Sequence, residues 1–198
     1  MDGSCAVLRK IEDEIPDTEK IKIPPVIISE TDAHSGLILV TGPTGSGKST
    51  TLASMIKKIN QSRAANIITV EDPIEFIHSN IKSIISQREV GKHVESFAKG
   101  LKSALREDPD VVLVGELRDL ETVSMALTAA ETGHLVMGTL HTNGAPNTIN
   151  RILDVFPPSQ QNQARSQLSQ SLRIVVTQQL LQTRDKPVSY THLRAHET

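Results

Sequence analysis

The sequence predicts an α/β fold: a mostly parallel sheet with helices on both faces. Three observations carry that expectation. Short apolar runs alternate with stretches long enough for helical crossovers, the connection that parallel strands require. The runs are apolar throughout rather than alternating, as in strands buried on both faces. The first of them leads through a glycine-rich turn straight into a helix, an order typical of such sheets.

Residues 1–30 read as an entry segment rather than a domain. Within it, Ala6-Val7-Leu8 could pair as a strand and Glu12-Asp13-Glu14 is a solvated charge run. Val26-Ile27-Ile28, following Pro24-Pro25, is expected to cap the core. Residues 31–185 form that core. Its first strand is Leu37-Ile38-Leu39-Val40, and the helix over 51–60 carries Leu52, Met55, Ile56 and Ile59 at helical spacing. Asn66-Ile67-Ile68-Thr69-Val70 is a second strand, and 81–90 alternates as a strand or hairpin.

A helix over 94–107 places Phe97, Leu101, Ala104 and Leu105 on one face until Pro109 bars its continuation. Val111-Val112-Leu113-Val114 is the third buried strand. A helix over 120–132 follows with Asp119 as its N-cap, and 135–140 is the fourth strand. A short helix over 145–155 stops before Pro157-Pro158. Ser159 then caps a Gln- and Ser-rich helix with a thin stripe of Ala164, Leu168 and Leu172. Ile174-Val175-Val176 is read as the last strand. Residues 186–198 change character and are expected to be a non-native or disordered, solvated tail. They resemble library-adaptor read-through; His192 and His196 sit four apart there, with no third ligand nearby.

Composition removes several function classes. Aromatics make up 2% with no Trp, and the net charge is −2, so neither base stacking nor a basic footprint supports a nucleic-acid partner. Cys5 stands alone, which excludes an internal disulfide or a Cys-based zinc site and fits a cytoplasmic protein. No run approaches the roughly 20 apolar residues that span a bilayer, so membrane contact is expected only through partners.

The turn after the first strand reads Gly42-Pro43-Thr44-Gly45-Ser46-Gly47-Lys48-Ser49-Thr50 and fits G-x-x-x-x-G-K-[ST]. Between a strand and a helix, such a loop aims backbone N–H groups and a helix N-terminus at phosphate. Lys48 is expected to reach the β- and γ-phosphates of ATP, and the Ser49 hydroxyl to ligate Mg²⁺.

Ligands of open α/β sheets sit beyond the carboxyl ends of the strands, and that rule selects the remaining polar candidates. The second strand delivers Glu71, Asp72 and Glu75 to this rim. A carboxylate there could orient and deprotonate water, with Glu75 preferred. The third strand ends in Gly115-Glu116, so Glu116 is the carboxylate expected to tune the Mg²⁺ shell or the water. Asp110 begins the same strand and lies at the wrong end. His141 closes the fourth strand as a candidate γ-phosphate sensor. His134, at the other end, is structural or sits at a subunit contact. Arg106, Arg118 and Arg151 follow element termini, and each could act in trans as an arginine finger. The helix dipole already explains Arg106.

These residues carry a resemblance. The stretch 105–119, Leu-Arg-Glu-Asp-Pro-Asp-Val-Val-Leu-Val-Gly-Glu-Leu-Arg-Asp, resembles the signature of the ATPases of type II secretion and type IV pili. Residues 68–76 resemble the family's Asp box, 132–143 its His box and 42–50 its Walker A loop, in family order. Within the superfamily, 86–91 and 126–134 are most similar to the retraction (twitching motility) ATPases of the PilT family. No cysteine-rich module follows 177–182, where extension and secretion ATPases usually carry one.

The resemblance implies a RecA-like core, a hexameric homo-oligomeric ring and ATP hydrolysis that drives pilus retraction from the cytoplasmic side. The partner it implies is an inner-membrane pilus platform protein. It also implies Glu75 as general base, Glu116 as the Walker B carboxylate and His141 as the phosphate sensor. A pilus extension or type II secretion ATPase, or a regulatory subunit that binds nucleotide without hydrolysing it, stands as the alternative. Set against the family, the N-terminal domain to which 1–30 would be the linker is missing, and the core at 31–185 is C-terminally truncated. In this family the nucleotide is gripped between the core and a neighbour's N-terminal domain. This stretch alone is therefore expected to bind ATP weakly and turn it over poorly.

Overall fold

The computed structural model describes residues 14–182 and 189–197. A short helix, α1 (Pro25–Ser29), and a 3₁₀ turn (Glu30–Asp32) lead into β1 (Gly36–Thr41). Then come α2 (Lys48–Ser62), β2 (Asn66–Glu71), β3 (Ile84–Glu89), α3 (Phe97–Ala104), β4 (Val111–Val114) and α4 (Leu120–Glu131). The described chain continues with β5 (Leu135–Leu140), α5 (Ala145–Asp154), α6 (Gln161–Ser171), β6 (Leu172–Gln182) and β7 (Ser189–Glu197). The strands form one sheet in the order β3-β2-β4-β5-β1-β6-β7. The first six are mutually parallel, and β7 joins antiparallel to β6.

Successive residues of a strand point to opposite faces, and here both faces are covered. Leu37 and Leu39 of β1 enter a core shared with α3, α4, α5 and α6. Ile38 and Val40 enter a second core with Leu52, Met55, Ile56 and Ile59 of α2 and with Ile27 of α1. That double burial is why the central strands read as unbroken apolar runs. It also fixes the site, because the parallel strands bring their carboxyl ends to one rim.

The structure departs from the sequence reading at several element ends. The stretch at 26–28 is helical, started by Pro25, a favoured first helical residue, and it buries Ile27 in the core. The segment 81–90 is one parallel strand beside β2, not a hairpin. The helix expected over 94–107 spans only Phe97–Ala104: the Ser96 side chain caps it by accepting from the Lys99 N–H at 3.2 Å. Tight turns end it, with the Arg106 and Glu107 N–H groups donating to the Ser103 and Ala104 carbonyls. Arg106 thus lies just past the helix cap rather than in the last helical turn.

Ser159 is not a cap either. Residues 157–160 close a turn in which the Gln160 N–H donates to the Pro157 carbonyl, and α6 starts at Gln161 with no side-chain cap. In the tail expected to be disordered, Ser189–Glu197 pairs with β6 from Ile174 to Gln182. The exposed hydrogen-bonding edge of β6 supplies the reason, since an unpaired edge accepts any extended segment within reach. The strand proposed at 6–8 lies outside the described residues.

Candidate active site

The loop after β1 is shaped by its glycines. Gly42, Gly45 and Gly47 have φ of +144°, +78° and +90°, where residues with a Cβ are strained. At Gly42 a Cβ would also stand 2.3 Å from the Gln178 carbonyl oxygen of β6 and 2.9 Å from Ser46 Oγ. Gly47 is the residue before α2, so the helix begins at Lys48 itself, earlier than its apolar period indicates.

Lys48 is 8% exposed, and its Nζ donates to the carbonyls of Gly42 at 2.9 Å and Pro43 at 3.1 Å. Burial lowers its pKa, while the negative charges of Glu116 and Glu75 oppose that shift. Both carboxylates therefore lie within electrostatic reach of the loop lysine. A cleft of about 560 Å³ joins these groups: Thr44, Gly45, Gly47, Lys48, Ser49 and Thr50 line one side, and Glu75, Glu116 and His141 another.

The acidic groups of the cleft are held differently. Gly115 N–H donates to the Val70 carbonyl at 2.8 Å and Leu117 N–H to the Thr139 carbonyl at 3.0 Å, bracketing Glu116 between β2 and β5. The Thr139 hydroxyl adds a bond to the Gly115 carbonyl. His141 Nε2 lies 3.8 Å from one Glu116 oxygen and Arg118 Nη1 3.6 Å from the other. Glu71 is occupied differently: its Oε1 accepts from Thr69 Oγ1 at 2.6 Å and from Gln87 Nε2 at 3.2 Å. Burial raises its pKa against those bonds. Glu71 is thus tied into the sheet, whereas no described side chain is shown bonding the Glu75 carboxylate.

The other sequence candidates separate cleanly. Gly42, Pro43 and Ser46 shape the loop from behind rather than lining the cleft. His134 sits at the amino end of β5 with its Nδ1 3.1 Å from the Ala129 carbonyl, a backbone-satisfied histidine at the opposite rim. Asp110 is at that rim too, and its Oδ2 accepts from the Asn66 N–H at 2.7 Å. Arg106 and Arg151 are exposed, in the turn before β4 and in the last turn of α5. Of the three arginines, Arg118 alone approaches a cleft carboxylate.

Two residues around the loop escaped the sequence reading. His78 lines the wall, and burial pushes its pKa down from 6.5 to about 4. Gln178 is fully buried behind the loop, and its Nε2 donates to Thr51 Oγ1 at 3.0 Å. Neither belongs to a local pattern; only the fold brings them to the loop. Among the described residues no group of three His, Cys, Asp or Glu could enclose a metal. Ser49 and Glu116 nonetheless offer hard oxygen donors, the set that suits Mg²⁺ when phosphate oxygens and water complete its shell.

The profile of the family described as "Type II/IV secretion system protein" matches residues 4–194. The "Twitching motility protein" of Neisseria gonorrhoeae is 56% identical over 183 residues, which is 92% of this chain and 49% of that protein. The "Type IV pilus retractation ATPase PilT" of Pseudomonas aeruginosa is 50% identical over 195 residues, 98% of this chain and 56% of that protein. A solved structure described as "Crystal Structure of the Pilus Retraction Motor PilT and Bound ADP" superposes with a TM-score of 0.92 at 53% identity. It covers 96% of this chain and 55% of its own. The chain spans about half the length of the curated relatives it matches. Among the described residues no helix is long and apolar enough to cross a membrane.

Proposed function

The chain belongs to the type II/IV secretion system protein family, and on that premise we propose that residues 31–185 are the RecA-like ATPase core of a pilus retraction motor. The observation that carries this reading is the convergence of Lys48, Glu75 and Glu116 on one cleft. The loop amides and the start of α2 receive the β- and γ-phosphates of ATP. Lys48 leaves the Gly42 and Pro43 carbonyls to pair with them. Ser49 and Glu116 would hold Mg²⁺, which supplies charge neutralisation on the phosphate oxygens when bound.

Glu75 accepts a proton from the attacking water as its oxygen bonds to the γ-phosphorus. The bond from that phosphorus to the β–γ bridging oxygen breaks, and ADP leaves with the electron pair. His141, beside Glu116, reports whether the γ-phosphate is present. The names of the retraction-type relatives support pilus retraction as the work done. A hexameric ring of identical subunits, in the cytoplasm against an inner-membrane platform protein, completes the proposal. Arg118 is the preferred cation to act across a subunit boundary, ahead of Arg106 and Arg151.

Phosphate release by the full-length protein tests the chemistry. Glu75→Gln and Glu116→Gln should each lower turnover by about a hundredfold or more, the scale of a lost general base or electrostatic group. Parent-like rates in both variants would remove the assignment.

A further inference from the structure

Glu75 lies on an irregular stretch between β2 and β3. Such a loop has no ladder of its own to keep one carboxylate facing Lys48. Side chains from the flanking strands do that work. Gln87 of β3 uses both ends of its amide: Nε2 donates to the Phe76 carbonyl at 2.8 Å, and Oε1 accepts from the His78 N–H at 2.8 Å. Glu89, two residues along and so on the same face of the strand, accepts from the Ile74 N–H at 3.2 Å. Gln87 Nε2 also reaches Glu71 Oε1 at 3.2 Å, and the Glu75 N–H lies close enough to Glu71 to favour its charged form. The backbone is therefore held immediately before, at and after Glu75.

We propose that Gln87 is a positioning residue for ATP hydrolysis: its amide, braced by Glu71 and seconded by the hold of Glu89 on Ile74, sets the loop that aims Glu75 at the attacking water. The requirement is chemically narrow. The loop presents a carbonyl at residue 76 and an N–H at residue 78, so one side chain must donate and accept together. The primary amide of Gln87 does both from β3. Glutamate keeps the acceptor and loses the donor; methionine fills the space and loses both. The proposal rests on Glu75 being the base assigned above.

The test uses the full-length protein, with steady-state ATP hydrolysis for kcat and a fluorescent ADP analogue for nucleotide affinity. Gln87→Met should lower kcat by about tenfold or more while the ADP dissociation constant stays within about threefold, because Lys48 and its loop are untouched. Gln87→Glu, which sets a second carboxylate against Glu71 and the Phe76 carbonyl, should lower kcat at least as far. In a Glu75→Gln background, Gln87→Met should cost less than about twofold further, since both act through one group. Should Gln87→Met unfold, Gln87→Glu is read in its place against the same limits.

A kcat within about twofold of the parent, an equal loss of ADP affinity, or a full additional loss in the double variant would each overturn the proposal. If Glu75→Gln hydrolyses ATP at the parent rate, the base assignment fails and takes this proposal with it. If Glu75→Gln is inactive and Gln87→Met is not, the base assignment stands and the clamp alone is wrong.

Discussion

Replacing Gly42 by alanine should damage the loop in a way that replacing Gly45 does not. At Gly42 two costs combine. Its φ of +144° is a conformation that only glycine adopts readily, and the added Cβ would sit 2.3 Å from the Gln178 carbonyl oxygen. That oxygen belongs to β6, which is paired along β1, so neither side can yield cheaply. Backbone strain and overpacking together come to about 2–6 kcal/mol, a large part of the roughly 5–15 kcal/mol that holds a domain folded. At Gly45 a Cβ meets nothing within 4 Å, so only the strain of its φ of +78° remains, about 1–2 kcal/mol. Urea unfolding of both variants, compared at equal m-values, measures the difference. A Gly42→Ala protein no less stable than Gly45→Ala would refute the claim that β6 braces the loop.

Four further outcomes follow from the geometry. His78, with its pKa pushed down to about 4 by burial, binds fewer protons folded than unfolded. Its contribution is therefore present above pH 6.5 and lost as the pH falls towards 4, by up to about 3 kcal/mol before allowing for the ring's partial exposure. His78→Gln should flatten acid denaturation in that window. Glu71, its pKa raised, works in the opposite direction just above 4.5, so Glu71→Gln should steepen the same curve. Asp119→Ala removes the cap that accepts the Thr122 N–H at 2.9 Å and should cost about 0.5–2 kcal/mol in thermal or urea unfolding, with Asp119→Asn restoring most of it. Gly138→Ala would set a Cβ 2.6 Å from Leu117 Cδ1, and Leu117 is buried. It should cost about 1–3 kcal/mol and, by shifting the neighbouring Glu116, depress hydrolysis more than ADP binding; unchanged turnover would show that Leu117 gives way without moving Glu116.

What the sequence disclosed depended on where the information was local. β1, β2, β4 and β5 are buried on both faces, so each is a run that can be read without knowing its neighbours. The glycine loop is a contiguous pattern, and the carboxyl-end rule then selects Glu116, His141 and Glu75 because strand direction is implicit in the crossovers. The order of strands is not local. β5 separates β1 from β4, so the approach of Glu116 to Lys48 is a property of the assembled sheet. Gln87, His78 and Gln178 were illegible for the same reason: each is one polar residue whose partners lie in another element. The limits of α3 and α6 were missed where short turns, at 105–107 and 157–160, imitate a helix in composition. β7 has no apolar period to announce it, since it gains its place by pairing with an edge.

The placement of β1 has a consequence for how the chain comes into being. β1 is made before either of its neighbours in the sheet, β5 and β6, and Thr41 meets Thr177 across a separation of 136 residues. As the protein leaves the ribosome, β2, β3 and β4 can assemble while β1 waits without partners. The phosphate loop, whose Gly42 leans on Gln178, therefore takes its working shape only once synthesis has passed β6.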